Sequence, residues 1–481
     1  MKPPTVPRFL DREPIAAPNP KLPPIVEAGN ACRMRSPIAA QATDASESQA
    51  RAAAWLADAG VGWGERVAVV APSSLDYLAV ALGALRSGII PVLVNTSLLT
   101  HERAYILDDS QPSLVLGERE VASAAHHPRR AELAPWPLGR PMAYTSGTTG
   151  RPKGVYSGVL SEADAEALWT EEMELWALCP TDSYVQIGPL YHSAPLRFAA
   201  CTLLAGGSVV VPGPFDARLA AAAIAEHRPT VTFAAPIHLQ RLFAVDPKRA
   251  WRHMRLVAYA GAPCPPEVAH EARSRFGPDS VREFYGSTEG QFTVCTPEDR
   301  RAAPTSVGRA RPNRRLSIDA DGHIWCAAPA YAAFTYWGDA ERSAQAWRTA
   351  ADGSAEFTVG DLGRLERGYL YLDGRRDDLI ISGGVNVYPA EVERALADVP
   401  GVETVVAFGA PDDDWGQAVT VVAVPSTPGE SPSALQSRLA ERAAAALAPY
   451  KRPKRVLLRT TLPVSSTGKV RRGTLAADLG L

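Results

Sequence analysis

Residues 144–155 read Tyr144-Thr145-Ser146-Gly147-Thr148-Thr149-Gly150-Arg151-Pro152-Lys153-Gly154-Val155. Three glycines in this run let the backbone approach an anion closely and adopt positive φ. Four Ser and Thr hydroxyls and the Lys153 ammonium add donors. A loop this dense in N–H, O–H and ammonium groups suits the phosphates of a nucleotide. It is not a Walker A loop, because Lys153 is followed by Gly154 and not by Ser or Thr. The plain alternative is a polar surface turn. No Gly-x-Gly-x-x-Gly occurs anywhere in the chain, so a Rossmann dinucleotide site has no support.

On both sides of this loop, apolar runs alternate with helical patterns. Upstream, a helix from Ser46 closing near Gly60 precedes a strand at 66–71, a helix at 76–86, a strand at 89–94, a helix at 101–108 and a strand at 114–116. Downstream come a helix at 162–177, a strand at 184–187, a helix at 198–204, a strand at 208–211 and a helix at 217–227, then strands at 230–234 and 256–260. Strands separated by helices predict parallel sheets with crossover helices. Near 310 the texture shifts to short strands and turns, which predicts a small β-rich subdomain. The polar link Gly374-Arg375-Arg376-Asp377-Asp378 predicts a domain boundary. The expected organisation is α/β. A large N-terminal domain of mixed sheets spans 1–374, with residues 1–35 as a proline-rich extended arm. A small mobile α+β domain spans 375–481. Within it, Ser431-Pro432 predicts a helix start, with Ser as N-cap and Pro at the first helical position.

Composition excludes several classes. The chain has 481 residues, with 50 Lys and Arg against 52 Asp and Glu, a net charge of -2. That balance argues against a protein built to bind nucleic acid or anionic membrane. Six cysteines, at 32, 179, 201, 264, 295 and 326, form no Cys-x-x-Cys pair and no disulfide-like framework. They are expected to be reduced thiols in a cytoplasmic protein. Met1 to Pro20 contains six prolines and no apolar core of a secretory signal. No apolar run is long enough to span a membrane.

Four further blocks follow the 144–155 loop. They are Tyr285-Gly286-Ser287-Thr288-Glu289-Gly290, then Val359-Gly360-Asp361-Leu362-Gly363, then Gly374 to Ile380 with Ser382-Gly383-Gly384 through Glu393, and finally Pro463-Val464-Ser465-Ser466-Thr467-Gly468-Lys469. In this order they resemble the adenylate-forming superfamily of acyl-CoA synthetases, peptide-synthetase adenylation domains and luciferases. The motifs lie nearest to AMP-forming acyl-CoA synthetases, and the resemblance covers roughly residues 45–480.

The resemblance implies roles that agree with side-chain chemistry. Thr145, Ser146, Gly147, Thr148, Thr149, Gly150 and Lys153 would cradle the phosphates of ATP. Glu289, beside Thr288, is a hard oxygen ligand for Mg²⁺; alone it reads as a solvated loop carboxylate. Gly261-Ala262-Pro263 resembles the block along the adenine face, and Tyr285, Gly286 and Ser287, from the aromatic-Gly-x-Thr-Glu block, would help bind the nucleotide, with Gly261 and Tyr285 also bordering the acyl pocket. Asp361, between glycines, would accept the ribose hydroxyls; alone it is a plain turn Asp. Arg375 would add a fork of donors to ribose or phosphate; alone it reads as a surface salt-bridge residue. Lys469 would bring a compact charge to the α-phosphate. Tyr191 and His192 resemble the aromatic-His block beside the acyl pocket, with His192 lining and gating it. Phe233, Ala234 and Ala235 would line the same pocket.

Arg197, in an otherwise apolar stretch, has two readings. One is a helix-surface arginine; the other is a partner for a second polar or acidic group on the substrate. Asp377 stands at the family's pivot, where a hinge absorbs a rotation of the small domain. That rotation would bring Gly383-Gly384 to the mouth of the site for the pantetheine arm of coenzyme A.

Departures from the family pattern lie at the rim. Val359 stands where Thr is usual, with Thr358 one place earlier. Residues 120–141 are short and rich in His, Pro and Arg, and no clear strand precedes the first helix. With no carrier domain after Lys469, a complete peptide-synthetase module is not expected. The implied activity is ATP-dependent activation of a small-molecule carboxylic acid and transfer to coenzyme A. The alternatives are transfer to a carrier protein, an amine or another nucleophile, and a nucleotide-binding regulator without catalysis. Intact Lys153, Glu289, Asp361 and Lys469 argue against the last.

Overall fold

The structure is a computed structural model, and it describes residues 39–145, 152–262, 264–374, 380–426, 431–462 and 472–481. The described residues form two compact units. One is built from residues up to 96, 107–144 and 154–373, and the other from 97–106, 145–153 and 374–481.

In the first unit, alternating strands and helices give two large sheets. One has six strands, ordered Thr335–Tyr336, Lys153–Tyr156, Met142–Thr145, Ile90–Leu93, Arg66–Val69, Leu114–Leu116. Its inner strands pair in parallel, Val92 opposite Met142 and Val67 opposite Leu114. Parallel strands are covered on both faces, so they read as continuous apolar runs; Ile90–Leu93 is buried throughout. The second sheet has ten strands, with a parallel centre of Ser183–Gln186, Val231–Ala234 and Leu256–Tyr259. It continues through Val281–Gly286 into an antiparallel hairpin with Gln291–Cys295. A four-stranded antiparallel sheet, Arg315–Ile318, Ile324–Ala327, Ala355–Phe357 and Trp347–Thr349, is the β-rich subdomain expected near 310. The molecule is therefore α/β, with a large N-terminal part of mixed sheets and a smaller C-terminal part.

The second unit carries its own sheet of Val385–Val387, Ile380–Ser382, Gly416–Pro425 and Val402–Asp412, with Arg455–Leu458 alongside. Helices Pro389–Leu396 and Pro432–Ala446 bury Val392, Leu396, Leu435 and Leu439 against it. Ser431 is the N-cap of the latter helix, as its Ser-Pro pair predicts, although its hydroxyl faces Ser433 and not the helix backbone.

Four local expectations are corrected. A short strand, Ala39–Gln41, does precede the first helix and pairs antiparallel with Ser208–Val210. It is too short to show a period of its own. Ser193–Leu204 is helical from its start, five residues earlier than apolar patterning suggests, because Ser193 and Arg197 interrupt the apolar run. Helices Pro236–Val245 and Pro266–Phe276 have no counterpart in the sequence reading, although each begins at a proline suited to a first turn. The segment rich in His, Pro and Arg starts with a helix, Glu118–Ala125, whose Val121, Ala124 and Ala125 face inward. Residues 1–35, the expected arm, lie outside the described residues.

Candidate active site

The hairpin at 281–295 carries the most constrained candidate residues. Gly286 sits opposite Gln291, and the Ser287 amide donates to the Gly290 carbonyl at 2.8 Å, so Ser287-Thr288-Glu289-Gly290 forms the connecting turn. The two flanking glycines are needed for space. A Cβ on Gly286 would lie 2.7 Å from Gln291 Cα, and one on Gly290 would lie 2.6 Å from the Phe357 ring. Glu289 is only 4% exposed. Its Oε1 accepts from the Tyr336 hydroxyl at 2.9 Å, and its backbone carbonyl accepts from Arg140 Nη1 at 3.1 Å. Tyr285 turns its hydroxyl onto Asp361 Oδ2 at 2.6 Å and stacks near Phe292. The Asp361 backbone carbonyl accepts from the Ile324 amide at 2.9 Å, so this residue is held through both its main chain and its side chain. Thr358, one place before the unusual Val359, accepts from the Gly360 amide at 3.0 Å and so shapes the turn leading into Asp361.

Thr145 ends one strand and Lys153 begins the next. The Thr145 Oγ1 is buried with no hydrogen-bond partner among the described residues. A hydroxyl in that state is costly unless a ligand or water meets it. Ser146, Gly147, Thr148, Thr149 and Gly150, with Pro263, Arg375, Asp377 and Lys469, lie outside the described residues. Gly261 adopts φ +91, a backbone that side chains rarely take, and Ala262 follows it. In the second unit, Gly383 and Gly384 connect Ile380–Ser382 to Val385–Val387 with φ +60 and +80. Two positive φ values in a two-residue connection are the mark of a type I′ turn.

His192 is the N-cap residue of the helix Ser193–Leu204, with its ring 4.7 Å from that of Tyr191. Loss of solvent around it lowers the imidazole pKa to about 4, so it is neutral near pH 7. It can pack and exchange hydrogen bonds there but carries no charge. Burial likewise raises the Tyr191 phenol to about 12. Phe233 and Ala234 are part of the hydrophobic core. Phe233 stacks on Phe198 and lies 5.7 Å from Phe284. Ala235 is the N-cap residue of the next helix, its amide facing His238 Nδ1 at 3.3 Å.

A cavity of about 50 Å³ lies behind the Ser287-Thr288 turn, lined by Arg197 together with Ser287 and Thr288. Tyr191, His192, Phe233, Ala234 and Ala235 do not line it. Arg197 is not a surface arginine: its side chain is 18% exposed, and its Nε lies 3.4 Å from Glu172 Oε2. Glu172 also takes Arg311 Nη1 at 2.8 Å, while Arg311 Nη2 meets Glu171 at 2.5 Å. The Arg311 side chain is 1% exposed. Burial alone would raise the Glu172 pKa, but Arg311, Arg197 and Arg314 outweigh it and hold the carboxyl at about 2. Burial, with Arg197 and Arg314 nearby, lowers Arg140 to about 10, which leaves it charged.

Arg140, Glu171, Glu172, Gln291 and Arg311 were not among the residues singled out from sequence. One signal was available. Glu172 is four residues after Leu168 and three after Trp169, so it shares their buried helix face.

Comparisons with known proteins give the family. Residues 43–136 and 141–328 match the model for AMP-binding enzymes, and residues 391–469 match that for the AMP-binding enzyme C-terminal domain. An indoleacetate–CoA ligase of Aromatoleum aromaticum is 32% identical over 69% of this chain and 65% of its own length. A feruloyl-CoA synthase of Amycolatopsis is 30% identical over 90% of this chain and 93% of its own. Among solved structures, the amide bond synthetase McbA of Marinactinospora thermotolerans superposes with a TM-score of 0.76. It is 26% identical and covers 90% of this chain and 94% of that one. With a buried carboxylate on the 285–290 turn, a tyrosine-bound Asp361 and two-domain family matches along the chain, this protein belongs to the adenylate-forming family of AMP-binding enzymes.

Proposed function

We propose that the chain is an AMP-forming carboxylate–CoA ligase. The observation that carries this reading is the Glu289 turn. It carries a carboxylate held almost out of solvent, with Tyr336 on the carboxylate and Arg140 on the backbone carbonyl, in a family that activates acids as adenylates. In the first half-reaction a substrate carboxylate oxygen attacks the α-phosphorus of ATP and pyrophosphate departs. In the second, a thiol attacks the carbonyl of the mixed anhydride and AMP departs with the bonding electron pair. Both halves depend mainly on positioning and charge stabilisation.

Each group has a part in that scheme. Glu289, with Thr288 beside it, fits a hard divalent cation such as Mg²⁺, which takes one or two carboxylates plus phosphate oxygens and would offset phosphate charge. Thr145, Lys153 and the hydroxyls of 146–149 bind the phosphates. Gly261, Ala262 and Pro263 lie along the base, Tyr285, Gly286 and Ser287 help bind the nucleotide, and Asp361 and Arg375 contact the ribose. Lys469 supplies the charge at the α-phosphate. The neutral His192, with Tyr191, gates access for the acid. Asp377 is the pivot between the two half-reactions, and Gly383-Gly384 gives a side-chain-free passage for a pantetheine arm.

Transfer to an amine is the second reading, favoured by the structural likeness to an amide bond synthetase; a carrier-protein thiol is a further acceptor. The test is AMP release from a panel of acids and ATP with coenzyme A, amines or a carrier protein as acceptor. Acceleration by coenzyme A supports the ligase reading. Acceleration by an amine or a carrier protein alone replaces it.

A further inference from the structure

The cavity behind the Ser287-Thr288 turn has a charge imbalance. Four guanidinium groups line it, those of Arg140, Arg197, Arg311 and Arg314, against a single lining carboxylate, Glu172. Adding the neighbouring Glu171 and Glu289 still leaves four cations for three carboxylates. Isolated like charges are not buried without compensation, because taking an ion out of water is expensive.

The hydrogen-bonding inventory is unbalanced in the same direction. Arg197 Nε, Arg311 Nε, Gln291 Nε2 and Ser287 Oγ are buried without a hydrogen-bond partner among the described residues. Three of these are pure donors. On the acceptor side only Glu172 Oε2 of the lining groups is in that state; it lies 3.4 Å from Arg197 Nε, so those two offset each other and Arg311 Nε and Gln291 Nε2 remain as the unmatched donors. The Gln291 assignment is fixed by chemistry: Arg311 can only donate, so the amide oxygen must face it. The amide nitrogen is thereby left to donate elsewhere.

The rest of the wall is apolar, with Leu82, Leu85, Leu168 and Trp169. Roughly 10–15 Å³ on this scale holds one water, so the space takes about three to five waters or one small polar group.

We infer that this cavity is a subsite for a second anionic group on the substrate, a distal carboxylate held by Arg197, Arg311 and Gln291. The inference rests on the adenylation reading above and narrows its substrate class to acids with an additional anionic end. A carboxylate there meets the Arg311 Nε and Gln291 Nε2 donors beside the Arg197 charge and restores the local charge balance.

The experiment uses the full-length enzyme and pyrophosphate release with matched acids: pentanoate with glutarate, hexanoate with adipate, cinnamate with 4-carboxycinnamate. The expected result is that the diacid of at least one pair has a kcat/KM at least tenfold above its partner. Arg197→Met should lower that ratio at least tenfold, mainly through KM of the diacid, and Arg197→Lys should lower it less. A purely structural arginine would depress both members of a pair alike and leave the ratio intact, which overturns the inference. Preference of the parent enzyme for the monoacid in every pair also overturns it, with no variant required, while leaving adenylation standing. Pyrophosphate release with none of the acids overturns the adenylation reading and this inference with it.

Discussion

Replacing Arg311 by methionine removes a side chain that bonds both Glu171 and Glu172 in the interior. The structure sets the scale. The Glu172 carboxyl, ordinarily near 4.5, is held at about 2 despite burial. At about 1.36 kcal/mol per pH unit, that gap corresponds to about 3 kcal/mol favouring the ionised form in the folded state. Breaking a buried pair by removing one partner costs about 3–5 kcal/mol, because the remaining charge is stranded. Arg197 and Arg314 share with Arg311 in holding that carboxyl down, so Arg311→Met is expected to destabilise the first unit by about 3 kcal/mol at neutral pH, the low end of the range for a broken buried pair.

The pH dependence has a definite sign. A lowered carboxyl pKa contributes stability that is complete above about 4.5 and is lost as the pH falls through about 2. In the variant, Glu172 escapes its stranded charge by taking a proton nearer its ordinary range. The gap between variant and parent should therefore narrow on acidification. Urea unfolding followed by tryptophan fluorescence suits the measurement, since Trp169 lines the same cavity. The double variant Arg311→Met with Glu172→Gln should recover part of the loss. A change below about 0.5 kcal/mol at pH 7, the ordinary range for surface substitutions, or a gap that widens as the pH falls, would refute the reasoning.

Three further expectations concern the chemistry. Lys469→Ala should slow adenylate formation by roughly 10²–10³-fold while sparing thiolation of preformed acyl-adenylate; equal losses in both half-reactions would remove Lys469 from the α-phosphate. Glu289→Gln should raise the Mg²⁺ concentration needed for half-maximal pyrophosphate release, and superimposable titration curves for variant and parent would end its assignment as a metal ligand. Asp377→Pro, which locks φ near about −65°, should preserve ATP–pyrophosphate exchange and abolish thioester formation. Loss of both activities together is the outcome the pivot assignment does not survive.

Much of the fold was legible because it follows short-range patterns. Apolar runs such as Arg66–Val69 and Ile90–Leu93, separated by helical periods, mark parallel strands without reference to anything distant. Gly60 marks a helix end because only a residue tolerant of positive φ, here +81, fits there. The helix Pro266–Phe276 was not legible, because polar and charged residues fill much of its sequence; Pro236–Val245 is mostly apolar and short, and follows directly on the buried strand Val231–Ala234, which masks its period.

The blocks around Glu289 and Asp361 could be read from order and residue type, but their mutual geometry could not. The bond from Tyr285 to Asp361 joins residues far apart in the chain. The arginine cluster was hidden for the same reason. Arg309, Arg311, Arg314 and Arg315 form a basic run that reads as solvated surface, and Arg309 and Arg315 do stay largely exposed. Arg311 is buried only because helix residues Glu171 and Glu172 meet it from a remote segment.

Among the described residues, the turn that carries Glu289 is held from outside the hairpin by the Tyr336 hydroxyl, the Arg140 guanidinium on the Glu289 carbonyl, and the Phe357 ring against Gly290. Fitness in a saturation screen should consequently collapse at Arg140, Tyr336 and Phe357 as steeply as at Glu289 itself. A survey that ranks positions by lost activity would then draw a catalytic map larger than the set of atoms that touch substrate. Mg²⁺ titrations of Phe357→Leu would separate the two kinds of position. A scaffold residue acting through Glu289 shifts the metal requirement although its own side chain has no atom able to bind metal.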